Sequence, residues 1–298
     1  MSYAANMAFA GGPFNHDETG RSPEAVQKAV ENPKARALIL HKGNPALMAD
    51  GSLVKIRPID LIGKNIFDPG PIYLGLDDGA PVFAASMADE ADSFGGQFLN
   101  MRMAAANMSL PDLAIAGRAR ALLDWHFNHQ FCAKCGKKSD AREGGLKRLC
   151  TFCHTEHFPR VNPVVIMLVQ YGDKCLLGRG ENWPDNAYSC LAGFISPGET
   201  VEEAVKREVW EETGVMTKNH RYVMSQPWPF PAQLMMGMIC DAQGTDLNIN
   251  TKEIEAANWY TRDQVAAVYD KTGTAFARLP KFTIAHHLLK YWLDNPGE

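Results

Sequence analysis

Gly193 to Val215 read GFISPGETVEEAVKREVWEETGV. Pro197-Gly198 predicts a loop, Thr200 to Thr213 a helix, and Gly214 its C-terminal stop. On that helix Glu208 and Glu212 are i,i+4 neighbours and Glu211 lies beside them, so three carboxylates share one face. Val201, Val205 and Val209 supply an apolar strip suited to docking on a sheet. Like charges at this spacing destabilise a bare helix by roughly 0.2–0.5 kcal/mol. A hard divalent cation, which takes carboxylate oxygens and also binds phosphate, would offset that repulsion. A solvated acidic helix face is the plainer reading of the three glutamates alone.

The complete string decides between them. Gly193, Glu199, Arg207, Glu208, the aliphatic Val209, Glu211, Glu212, Gly214 and the aliphatic Val215 match every defining position of the Nudix box, so the chain resembles a Nudix hydrolase.

Upstream stand two CxxC pairs, Cys132/Cys135 and Cys150/Cys153, in the loop-rich stretch FCAKCGKKSDAREGGLKRLCTFCHTEHFPR. Four thiolates at this spacing can close a tetrahedral site with no open position, which points to structural zinc; redox CxxC chemistry is the alternative. The stretch is too short to bury a core, so the metal would provide much of its folding free energy. His154 and His157 are expected at the surface, because four thiolates already fill the site. Lys134, Lys137, Lys138, Arg142, Lys147 and Arg148 give the ribbon a basic character, either as solvated loop charge or as a contact for the phosphates of an RNA-linked substrate.

Downstream, Ser225-Gln-Pro-Trp-Pro-Phe-Pro231 alternates prolines that lack a ladder donor, so it must be a sheet edge or a pocket wall. Trp228 and Phe230 on this stiff frame could be packed edge residues or flat surfaces for stacking a ring. SQPWPFP in this place resembles the signature of the NADH pyrophosphatases among Nudix enzymes, and the zinc ribbon is a second mark of the same family.

The 298 residues suit more than one domain, and 46% hydrophobic with 21% charged residues describes globular folding. A net charge of −4 and a pI near 6.1 argue against non-specific wrapping of nucleic acid. No apolar run approaches a membrane span, and the start MSYAANMAFAGGPFNHDE lacks a basic region followed by an apolar one. With Cys175, Cys190 and Cys240 reading as buried single thiols, the expected compartment is the reducing cytoplasm.

Residues 1–34 are expected to be a partly ordered N-terminal arm. Residues 35–127 read as a small α+β domain, with Asp77-Asp78-Gly79 as a hairpin turn and Leu110 to Gln130 as a helix capped by Ser109. Residues 128–158 are the ribbon, and 159–298 the catalytic domain, with strands at Val164–Gln170, Lys174–Leu177, Tyr188–Ile195 and Gln233–Cys240 and a last amphipathic helix at Phe282–Leu293.

The resemblance covers roughly residues 35 to 293 and implies an α/β/α sandwich for the catalytic half, preceded by a zinc ribbon and a degenerate Nudix-like α+β domain. It implies a homodimer that hydrolyses NAD(H) to NMN(H) and AMP with two or three Mg²⁺ or Mn²⁺ ions per site and one structural Zn²⁺ per subunit. Metal ligands carry over to the Ala192 carbonyl, Glu208, Glu212 and Glu253, with Glu255 as the alternative to Glu253. Glu211 is the candidate base, and a metal-bound hydroxide oriented by Glu208 or Glu212 is the alternative. Arg207 is expected to pair with a box carboxylate. Substrate contacts carry over to Gln226, Pro227, Trp228, Pro229, Phe230, Pro231, Ala232 and Gln233, and to Phe158, Phe194, Ala285 and Arg102. The chain departs from the family with Gln233 where Ser is usual, Phe158 where Tyr is typical, and Asn162 where Asp is common. Two other readings remain: removal of NAD caps from RNA by the same chemistry, and a non-catalytic zinc-ribbon RNA-binding regulator.

Overall fold

The computed structural model describes residues 7–15 and 19–297; the parts of the expected N-terminal arm at 1–6 and 16–18 lie outside the described residues. The described residues divide into two compact units, one within 8–161 with 227–232, the other of 162–226 with 233–297 and Met7.

The first unit opens with β1 (Phe14–Asn15) and α1 (Pro23–Glu31). The arm is therefore helical at 23–31. Ser22 caps α1, accepting from Ala25 N–H, Pro23 sits in the first turn, and Val26, Ala29 and Val30 pack on the core at helical spacing. Strands β2 (Arg36–His41), β3 (Asn44–Leu47), β4 (Lys55–Ile56), β5 (Ile72–Asp77), β6 (Ala80–Ser86) and β7 (Gln97–Phe98) follow, then α2 (Met101–Ala104) and α3 (Leu110–Asn128). They form one sheet in the order β1-β5-β6-β2-β3-β7, with β4 also on β2. The β5–β6 hairpin turns at Asp78 and Gly79, both left-handed at φ 47° and 73°, which suits the Asp-Gly pair. Three antiparallel strands make the ribbon: β8 (Ser139–Arg142), β9 (Lys147–Cys150) and β10 (Glu156–His157).

One buried cluster joins the ribbon to α3. Arg148 of β9 has no exposed surface; its Nε donates to Ser139 Oγ (3.0 Å), its Nη1 to His126 Nδ1 (2.9 Å) and its Nη2 to the Ser139 carbonyl, with Asp68 at 3.6 Å. His126 of α3 uses its other nitrogen to donate to the Gly145 carbonyl (2.7 Å), which fixes the Nε2–H tautomer. Burial first of all, with Arg148 adding to it and Gly145 and Asp68 opposing, pushes the His126 pKa down to about 4.

The second unit holds β11 (Asn162–Tyr171), β12 (Lys174–Arg179), β13 (Leu191–Phe194), α4 (Val201–Thr213), β14 (Thr217–Trp228), β15 (Gln233–Ala242), β16 (Ala256–Thr261), α5 (Arg262–Tyr269) and α6 (Ile284–Asp294). Its sheet runs β14-β15-β11-β12-β16, with β13 paired to the first half of β11. Strands β11 and β15 are parallel, whereas β12 and β13 run antiparallel to β11. Val165, Met167 and Val169 point to one face and pack with Ala204, Val205 and Val209 of α4. Ile284 and Leu288 of α6 come close to Gly237 of β15, where an added Cβ would sit 3.1–3.2 Å from them. Helix, mixed sheet and helix thus form three layers. The proline-bearing β14 is an edge strand, as its missing donors require.

Candidate active site

Helix α4 starts at a capping box: Thr200 Oγ1 accepts from Glu203 N–H (3.2 Å), and Glu203 Oε2 accepts from Thr200 N–H (2.8 Å). It stops at Gly214, left-handed at φ 71°, whose N–H bonds to the Trp210 carbonyl. Between these ends the glutamates meet the start of the box. A Cβ built on Gly193 would lie 1.9 Å from Glu208 Cδ, so only glycine lets this carboxylate lie against β13.

Arg207 gathers the acidic groups. Its Nε and Nη2 hold both oxygens of Glu199 (2.5 and 2.8 Å), its Nη1 reaches Glu211 Oε2 (2.9 Å) and Glu208 Oε1 (2.8 Å), and Nη2 also donates to the Phe194 carbonyl (2.9 Å). The Arg207 hydrogen bonds pull Glu199 down to about 2, helped by the Ser196 N–H. Sequence reasoning gave Glu199 no role beyond membership of the box. It is the anchor of Arg207, and the signal was its spacing of eight residues from an arginine on the next helix.

Glu212 is the opposite case. It is buried, and its Oε2 has no hydrogen-bond partner among the described residues. Burial first, then the charges of Glu208, Glu253 and Glu211, push its carboxyl up to about 8; burial also raises Glu208. A buried carboxylate with an oxygen lacking a partner, and with three other carboxylates acting on it, fits a divalent cation that takes carboxylate oxygens. Glu253 therefore acts electrostatically on Glu208 and Glu212, whereas its alternative, Glu255, pairs with Arg179 at 3.0 Å. Ala192 lies exposed on β13, one residue before the glycine that cradles Glu208.

In the ribbon, the sulfurs of Cys132, Cys135, Cys150 and Cys153 lie within 4.8 Å of one another, with Cys132–Cys153 at 3.6 Å and Cys135–Cys150 at 3.5 Å. Tetrahedral zinc bound at about 2.3 Å needs sulfurs about 3.8 Å apart, and these fit. All seven cysteines are free thiols. The Thr155 hydroxyl draws Cys153 down to about 6, while Cys135, lowered by a Lys137 backbone bond, is still pushed up to about 12 by desolvation and its three sulfur neighbours. Four sulfurs in one place need a cation before all can ionise.

Three family models match in sequence: an NADH pyrophosphatase-like rudimentary NUDIX domain at residues 34–125, an NADH pyrophosphatase zinc ribbon domain at 128–158, and a NUDIX domain at 159–280. Among relatives, the NAD-capped RNA hydrolase NudC of Chromobacterium violaceum is 36% identical, over 76% of this chain and 82% of that one. The mitochondrial NAD(P)H pyrophosphatase NUDT13 of Mus musculus is 38% identical over 74% and 67%. The chain belongs to the NADH pyrophosphatase family of Nudix hydrolases. The human NAD-capped RNA hydrolase NUDT12 is 45% identical over 62% of this chain, yet the match spans only 43% of that longer protein.

In this Nudix hydrolase the residues expected to touch substrate separate into three groups. Phe194 and Phe158 are exposed, at 54% and 63%. Pro227 to Ala232 belong to the first unit, where Phe9 meets Trp228 and Phe230 edge-on at 5.9 and 5.8 Å. The Arg102 guanidinium lies 4.5 Å from the centre of the Phe230 ring and that of Arg120 lies 4.8 Å from it, so Arg102 does join the SQPWPFP aromatics. Arg120, which sequence reasoning missed, is fixed by donating to the Gly43 carbonyl.

Gln226 and Ala285, expected to touch substrate, lie inside the fold instead. Gln226 has no exposed surface; its Nε2 donates to the Phe282 carbonyl and its Oε1 accepts from Ile284 N–H, so it bolts the start of α6 to the sheet. Ala285, in the first turn of α6, is buried with it. Gln233 remains partly exposed as the first residue of β15, paired with Asn162 of β11.

Proposed function

We propose that this protein hydrolyses the pyrophosphate bond of NAD(H), giving NMN(H) and AMP. One observation carries the proposal: Glu208, Glu211, Glu212 and Glu253 form one electrostatic cluster, and its most buried member, Glu212, has no partner for an oxygen. Ala192 through its carbonyl, Glu208, Glu212 and Glu253 would hold Mg²⁺ or Mn²⁺, two or three ions per site. Such ions supply positive charge for the pyrophosphate oxygens and a lowered pKa for the attacking water. The chain's own residues supply position and a proton acceptor. Arg207 and Glu199 lock one oxygen of Glu211 and steady Glu208. Glu211 Oε1, outside the Arg207 pair, takes the proton as the water oxygen bonds to phosphorus and the bridging P–O bond breaks. One nucleotide leaves as its monophosphate, and the other keeps the new oxygen. Trp228 and Phe230 would provide faces for a base or nicotinamide ring.

The same reading includes one structural Zn²⁺ per chain on the four cysteines, a homodimer, and a cytoplasmic location that suits the free thiols. No helix among the described residues is long and apolar enough to cross a membrane. Removal of NAD caps from RNA is the second reading, favoured by relatives named for that activity and by the lysines of the ribbon. Product analysis with Mn²⁺ separates them, using NADH and a 5′-NAD-capped RNA in parallel. NMNH and AMP at the higher kcat/KM support the dinucleotide, and preferential release of NMN from RNA supports decapping. No product from either, with zinc-dependent RNA binding intact, would leave the non-catalytic regulator.

A further inference from the structure

His157 does not behave as a surface residue. It sits on β10, where pairing with Arg148 of β9 holds its backbone, and its Nε2 lies 3.3 Å from Cys132 Sγ. Across the cluster, Thr155 Oγ1 lies 3.2 Å from Cys153 Sγ. The four sulfurs form the mutually close set, and the His157 ring nitrogen is outside it, against a single sulfur. A thiolate has only lone pairs to offer, so at both contacts the partner must be the donor.

We propose that His157 is a positioning residue for the ribbon metal, its Nε2–H donating to the Cys132 thiolate while the Thr155 hydroxyl does the same for Cys153. This rests on the zinc reading of the cysteines. Zinc with four thiolates carries two net negative charges, and each N–H···S or O–H···S bond draws charge from a sulfur and fixes the direction of its lone pairs. The two donors act on sulfurs from different CxxC pairs, so each knuckle of the ribbon has its own orienting contact. The pattern C-x-T-x-H that begins at Cys153 is short enough to be visible in sequence, but only the β9–β10 pairing turns the ring back towards Cys132.

The test is chelator competition on the zinc-loaded full chain, with the cobalt-substituted protein as a second readout. His157→Phe keeps a ring and removes the donor; zinc affinity is expected to fall by about 10-fold or more. The sulfur-to-cobalt band should move to lower energy while keeping the intensity of four thiolates. His157→Gln, which restores an N–H donor, should recover most of the affinity. Thr155→Val, on the other knuckle, should weaken zinc in the same direction. Wild-type affinity in His157→Phe overturns the proposal, as does His157→Gln behaving like His157→Phe. A cobalt spectrum in the wild type showing three thiolates and one nitrogen overturns it too, by making His157 a ligand. Wild-type protein that binds no zinc overturns both the zinc reading and the proposal.

Discussion

The large sheets of the two units share one topology, β1 aside, and differ in their chemistry. In the second unit the order is β14-β15-β11-β12-β16 with β13 on β11; in the first it is β5-β6-β2-β3-β7 with β4 on β2 and β1 added outside β5. The parallel pair β11/β15 matches β2/β6, and the antiparallel pairs β11/β12 and β12/β16 match β2/β3 and β3/β7. They part company just after the short third strand. Strand β13 leads into the 13-residue helix α4 with its glutamates, whereas β4 leads only into a four-residue 3₁₀ turn at Pro58–Leu61. The acid of that turn is already engaged, Asp60 with Arg57, and so is Asp68 of the loop that follows, with Arg148. A fold of this kind is held by its sheet and core, and the reaction belongs to the inserted helix.

The largest effect that would break this contrast is at Glu212. Glu212→Gln should lower kcat by about 10³-fold at saturating metal. In metal-free protein the same change should stabilise. The folded-state pKa of Glu212 is raised from 4.5 to about 8, so its contribution to stability is present below pH 4.5 and is lost as pH rises towards 8. Thermal unfolding at pH 8 should then give the variant the higher Tm. Near-normal turnover would remove α4 from the chemistry. Gly193→Ala should come next, because its Cβ would displace the Glu208 carboxylate; kcat should fall by about 10²-fold with little change in Tm.

The first unit should respond to pH instead. His126 has its pKa lowered from 6.5 to about 4, so its stabilising contribution is present above pH 6.5 and is lost as pH falls towards 4. Acidifying to pH 5.5 should cost about 1.4 kcal/mol through this residue alone. His126→Gln, which still offers Arg148 an acceptor, should flatten that part of the Tm–pH profile. Asp60→Asn, in the turn that replaces α4, should leave turnover unchanged and Tm within measurement error.

Much of this was legible in the sequence because it is local. The Glu208/Glu211/Glu212 face, the Thr200 and Gly214 ends of α4 and the two CxxC pairs each lie within a few turns of chain. The remainder depends on contacts between distant segments. Gln226 reads as a pocket residue in SQPWPFP, yet Phe282 and Ile284, more than fifty residues on, bury it. Arg148 reads as ribbon surface charge and is the most completely enclosed cation of the first unit, held by His126 twenty-two residues earlier. Basic residues in a loop give no sign of which will be covered. Helix α1 was readable from Ser22-Pro23 and the spacing of Val26, Ala29 and Val30, and the Gly, Pro and Asn around it obscured the signal.

The central claim is that the α4 carboxylates form a cation site that the matching turn of the first unit lacks. Its most direct test is Mn²⁺ titration of zinc-loaded protein, with free Mn²⁺ followed by electron paramagnetic resonance. The wild type should take up more than one Mn²⁺ per chain, and Glu212→Gln should weaken that uptake at least tenfold while its zinc and secondary structure stay intact. Equal Mn²⁺ binding by the two proteins would contradict the account.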